Sequence, residues 1–112
     1  MTATNLDLNI ASQFSVTPGP RKRTEGKFSG QEFLEEWLRP LFVEALKIGA
    51  TLRVNLDGAA GYPTSFLEEA FGGLAREFGG AKVRGSIEID CLDEPYLEED
   101  IHRYIEKAKF QS

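Results

Sequence analysis

One cysteine and one histidine in 112 residues leave little material for metal or thiol chemistry. Cys91 alone excludes an intramolecular disulfide framework and a cysteine-based metal cluster. His102 stands between Ile101 and Arg103, and sequence order assembles neither a Ser-His-Asp nor a Cys-His set. Basic residues are the minority, 13 against 18 acids for a net charge of -5, which argues against general nucleic-acid binding. No apolar run approaches the roughly 20 residues of a membrane span. Met1-Thr2-Ala3-Thr4-Asn5 lacks a basic n-region, so no secretory signal or lipid anchor is expected. The simplest compartment is a reducing cytoplasm. No metal or cofactor is expected, because acidic runs such as Glu98-Glu99-Asp100 read as solvated helix surface.

What is present suits one ordered domain over residues 1–112, with 41% hydrophobic and 28% charged residues. Leu6, Leu8 and Ile10 alternate with Asp7, Asn9 and Ala11 in the period of a half-buried strand. Pro18-Gly19-Pro20 then opens a loop carrying the one basic cluster, Arg21-Lys22-Arg23, and residues 23–28 could add an edge strand. Ser29-Gly30-Gln31-Glu32 is a capping box for an amphipathic helix running to about Leu46, which Pro40 should kink or divide near Leu38. Leu52, Val54 and Leu56 form a second strand, and Phe66, Leu67, Ala70, Phe71, Leu74 and Phe78 a second helical stripe ended by Gly79-Gly80. Ile87 and Ile89 mark a third strand. Asp93 or Glu94 then caps a last helix, with Pro95 in its first turn. No internal repeat is visible.

Strands alternating with helices imply an α/β domain with a mixed, mainly parallel sheet and right-handed crossovers. Buried parallel strands read as continuous apolar runs, whereas these alternate. About three helices are therefore expected largely on one face, with the other face partly wet.

The richest segment for function is the end of the second strand, its loop and the next helix start. Asp57, Gly58, Gly61, Tyr62 and Pro63 make a glycine-punctuated turn, followed by the adjacent hydroxyls Thr64 and Ser65. Either hydroxyl suits an N-cap, and Ser65-Phe66-Leu67-Glu68 fits a second capping box. A phosphate there would meet the positive end of the helix, yet Glu68 and Glu69 would repel it and no cation is near in sequence. The loop has neither a Gly-x-x-x-x-Gly-Lys-Thr/Ser nor a Gly-x-Gly-x-x-Gly pattern.

The stretch Val54-Asn55-Leu56-Asp57-Gly58, continued by Gly61-Tyr62-Pro63-Thr64-Ser65-Phe66-Leu67-Glu68-Glu69-Ala70-Phe71-Gly72-Gly73-Leu74, resembles the signature of the STAS-like domain family of unknown function. Pro18-Gly19-Pro20-Arg21 and Phe28-Ser29-Gly30-Gln31-Glu32-Phe33 are similar to that family's N-terminal half, so the resemblance spans nearly the whole chain. The family's name records likeness to bacterial anti-sigma factor antagonists, which are non-enzymatic switch domains. The resemblance implies an ATPase-type serine kinase as partner, phosphorylating a hydroxyl at the start of the helix after a central strand. By position Thr64 and Ser65 fall at that motif, with Pro63 in place of its Asp and Phe66 in place of its Gly.

The expected function is a protein-interaction or regulatory switch without catalytic activity. Thr64 and Ser65 are the phosphoacceptors, and Asp57, Gly58, Gly61, Tyr62, Pro63, Glu68, Glu69 and Arg76 are the partner surface. The alternative is a module sensing a nucleotide or other small anion at the same helix start, aided by Arg21 or Arg23.

Overall fold

The computed structural model describes residues 5–108. Three strands, β1 (Asn5–Asn9), β2 (Thr51–Asn55) and β3 (Ile87–Asp90), form one sheet in the order β1-β2-β3, parallel throughout. The expected mixture of strand directions is thus replaced by a purely parallel sheet. Leu8 lies opposite Val54, which lies opposite Ile89, while Asp7, Arg53 and Glu88 form the row facing the other way. The first row is buried and the second exposed, so period-two alternation sets the two faces.

Five helices are present among the described residues, against the three expected. They are α1 (Ile10–Gln13), α2 (residues 30–48), α3 (residues 64–78), α4 (Gly80–Ser86) and α5 (Tyr96–Lys107). The two extra ones leave no periodic signal. α1 is a single turn, started by Asn9, whose side chain accepts the Ser12 amide. It captures Ile10, which alternation had assigned to the strand. α4 has glycines inside it and buries only Val83. Residues 23–28 form no edge strand; Arg23–Glu25 is a 3-10 turn, and Phe28 has a left-handed φ of 56°.

Pro40 does not divide α2. The backbone stays helical, but Leu34–Leu38 is a π turn in which the Arg39 amide donates to the Leu34 carbonyl, before α-helix resumes over Arg39–Ile48. A proline cannot donate to the carbonyl four residues back, and the wider turn shifts the register just before it. A second π turn, Glu68–Gly72, lies in α3. The two share a local echo, Phe33-Leu34-Glu35-Glu36 and Phe66-Leu67-Glu68-Glu69. Four residues are too short to register as a repeat, yet they meet in space, with the Phe33 and Phe66 rings 5.7 Å apart.

α2 and α3 cross where Gly30 lets their backbones touch. A Cβ there would lie 2.6 Å from the Phe66 carbonyl oxygen. Phe33, Phe42, Phe66 and Phe71 are fully buried in the same layer, against Leu8, Leu52 and Val54 of the sheet. Replacing Gly30 with Ala should lower stability by about 1–3 kcal/mol, since neither backbone can yield without moving a helix. Gly61→Ala, with nothing within 4 Å, is the near-neutral control. Thermal unfolding of the two variants measures the difference.

Candidate functional site

The turn after β2 is held by side chains from all three strand ends. Asn55 Oδ1 accepts from Asn9 Nδ2 (3.2 Å) and from the Asp57 amide (2.8 Å). Asp57 Oδ1 accepts the Asp93 amide at 2.9 Å, and Asp93 Oδ2 accepts the Gly58 amide at 3.1 Å. Asp93 therefore clasps the β2 and β3 loops together and does not cap α5, whose N-cap position is Pro95. Gly58 has φ 98°, which a side chain adopts only with strain, so glycine is required there. Tyr62 folds back and donates its hydroxyl to the Leu56 carbonyl at 2.7 Å. Burial first, then the nearby Cys91, Asp57, Asp93 and Glu94, push the Tyr62 pKa up, so the hydroxyl stays a donor.

Pro63 occupies the N-cap position of α3, and its carbonyl accepts the Phe66 (3.1 Å) and Leu67 (3.2 Å) amides. Thr64 and Ser65 are already the first two helical residues. Neither acts as the N-cap that the sequence suggested, because proline's fixed φ and extended ψ set the helix start one residue earlier. Thr64 is exposed and Ser65 half-buried. Their amides and hydroxyls have no hydrogen-bond partner among the described residues.

Glu68, Glu69 and Arg76 belong to a second cluster. Glu68 accepts from Arg21 at 2.5 Å and from Arg76 at 2.7 Å, while nearly buried Glu69 contacts Arg21 at 3.3 Å and Lys22 at 3.0 Å. Arg23 pairs with Glu35 and Glu36 on α2. Cations absent from the local sequence thus arrive from the far loop, which removes the expected acidity of the α3 first turn. The same pairing engages Arg21 and Arg23, the anion contacts of the alternative reading. Burial raises the Glu68 pKa, but hydrogen bonds from Arg76 and Arg21 outweigh it and hold the carboxyl below the usual range.

Sequence reasoning missed the depression on the exposed sheet face. It measures about 280 Å³ and is lined by Asp7, Leu8, Asn9, Gln13, Arg53, Asn55 and Asp90. Asn55 follows the outward row of β2 with Arg53, but Gln13 reaches the rim only through the unforeseen α1. Arg53 pairs there with Glu88 and Asp90. Away from this surface, Cys91 is buried, with its thiol pKa pushed up by burial, and His102 lies half-buried on α5. No group of three or more His, Cys, Asp or Glu able to hold a metal occurs among the described residues. No described helix is long and apolar enough to cross a membrane.

Tyr62→Phe should cost about 1 kcal/mol in urea unfolding, since the Leu56 carbonyl loses its donor. For Glu68 the folded pKa is lowered, so its stabilising contribution is complete above the ordinary glutamate range. That contribution disappears as pH falls through the lowered value. The stability gap between wild type and Glu68→Gln should therefore be widest near neutrality and shrink on acidification, read from urea midpoints across pH.

A family model for STAS-like domains of unknown function matches residues 29–97, more than half of the chain. The match begins at Ser29, the cap of α2, and ends at Leu97 in α5. It is shorter than the near-complete resemblance expected, and Pro18–Arg21 lie before it. Neither the curated proteins nor the solved structures gave a match. On the span from Ser29 to Leu97, the chain belongs to the family of STAS-like domains of unknown function.

Proposed function

We propose that this domain is a non-enzymatic protein-interaction switch, controlled by phosphorylation of Thr64 or Ser65. The docking surface is the exposed sheet face together with the loop from Asp57 to Pro63 and the first turn of α3. The observation that carries this reading is the position of Thr64. It is exposed, free of any capping role, and joined by one short loop to the central strand. Parallel sheets seldom leave a face uncovered, and here Asp7, Arg53 and Glu88 are exposed on one.

A phosphoryl group on Thr64 would bring about -1.5 to -2 charges to a helix N-terminus, where unpaired amides and the dipole favour it. Pairing of Glu68 and Glu69 with Arg21, Lys22 and Arg76 reduces the repulsion that the local sequence implied. The added charge stands beside Pro63 and Tyr62, where a packed partner would be displaced by desolvation cost. The modifying enzyme in this reading is an ATPase-type serine kinase. The anion-sensing alternative draws less support, because Arg21 and Arg23 already face carboxylates.

Incubation with the cognate kinase and ATP should add one phosphate by intact mass, and Thr64→Ala/Ser65→Ala should abolish it. Thr64→Asp/Ser65→Asp should release the docked partner at least tenfold faster in biosensor measurements. A kinase that binds the domain yet leaves its mass unchanged would refute the switch.

A further inference from the structure

We propose that residues 18–28 form an ion-pair latch, a strap that fastens the starts of α2 and α3 and opens as a unit without global unfolding. It shares the Glu68 and Glu69 pairs with the Thr64 reading but needs no phosphorylation, and the strap itself precedes the span matched by the family model. Its three consecutive cations divide between the two echoed acidic turns. Arg21 and Lys22 hold Glu68 and Glu69 on α3, and Arg23 holds Glu35 and Glu36 on α2. One tripeptide therefore bridges two helices that are separate in sequence.

The strap also covers and caps what lies beneath it. The Pro20 and Arg21 carbonyls accept the Gly30 and Gln31 amides, the first two of α2, at 2.8 and 3.0 Å. Phe28 rests edge-on against Phe14 at 5.7 Å, and Phe14 in turn meets Phe33 and Phe66. Opening would strip the outer ring from that stack and uncap α2 in one motion.

Three features make the strap the part that lets go. Its residues from Lys22 to Phe28 are exposed, Phe28 packing only one edge against Phe14, and Pro18 at its first end is its one buried residue. Phe28 is held in the left-handed region, a conformation costly to a bulky side chain and relieved on opening. The ion pairs are partly exposed, so salt screens them, whereas salt screening does not weaken the apolar burial beneath. Segments with few buried contacts open locally at lower free energy than the core.

Limited trypsin digestion of the whole chain tests this, because Arg21, Lys22, Arg23 and Lys27 are all cleavage sites. Rates are normalised to an unstructured peptide in the same buffer. Cleavage within the strap should rise about tenfold from low salt to about 1 M, where the screening length falls to about 3 Å, with far-ultraviolet dichroism unchanged. Glu68→Gln/Glu69→Gln should give the same rise at low salt and lose most of the salt response. Hydrogen exchange of the wild type provides the second reading, with Gly30 and Gln31 amides speeding up in salt while those of β2 do not. Salt-independent cleavage of the wild type, or strap and β2 amides exchanging together, would overturn the latch. A variant pair that folds and is cut no faster than wild type would overturn it equally.

Discussion

The fold depends on a backbone contact that only glycine permits. At Gly30 the first turn of α2 lies against the Phe66 carbonyl of α3, too close for a Cβ. That approach brings Phe33 and Phe66 together and seats both helices on one face of the sheet. Burying a phenylalanine side chain is worth about 1.5–3 kcal/mol, and four are fully buried in this layer. An exposed ion pair contributes about 0.2–1 kcal/mol. The aromatic crossing therefore sets the architecture, and the salt bridges around it adjust which segments stay closed.

Drawing both long helices to one side leaves the other side of the sheet without a helical cover. The alternation within each strand fits this outcome, because Asp7, Arg53 and Glu88 would be costly beneath a helix. The Arg53 pairs with Glu88 and Asp90 satisfy the charges while leaving the face wet. A parallel sheet with one polar face of this kind is compatible with water without a covering helix.

Much of this was legible in the sequence, for definable reasons. The strands and long helices have strong periods, so Leu52-Val54 and the stripe from Phe66 to Leu74 fall where expected. Short elements were not legible, since α1 is one turn and α4 buries a single Val83. The helix start at Pro63 was misread because Thr64 and Ser65 both have good capping chemistry, and the sequence does not show which residue turns extended. The largest gap concerned charge. Glu68 and Glu69 read as an unbalanced acidic turn because Arg21 and Lys22 are more than forty residues away, and only the crossing of α2 and α3 brings them in. Local patterning encodes faces and periods; it does not encode which distant loop neutralises them.

The starts of α2 and α3, which precede the two echoed turns, supply a comparison internal to the molecule. At α2 the first four amides all have acceptors: the Pro20 and Arg21 carbonyls, then Ser29 Oγ and the Ser29 carbonyl. At α3 the Pro63 carbonyl serves the third and fourth amides, while those of Thr64 and Ser65 have no acceptor among the described residues. The residues that start the two helices differ, Ser29-Gly30-Gln31 against Pro63-Thr64-Ser65, and first-turn amides at an exposed start such as Thr64 are open to water. The α2 start lies under the strap and is sealed. The α3 start follows the central strand, faces water, and carries two hydroxyls that cap nothing. Capping by a side chain accounts for Ser29, whose Oγ accepts the Glu32 amide, whereas at α3 the Pro63 carbonyl takes the equivalent third amide and leaves Thr64 and Ser65 without a capping part.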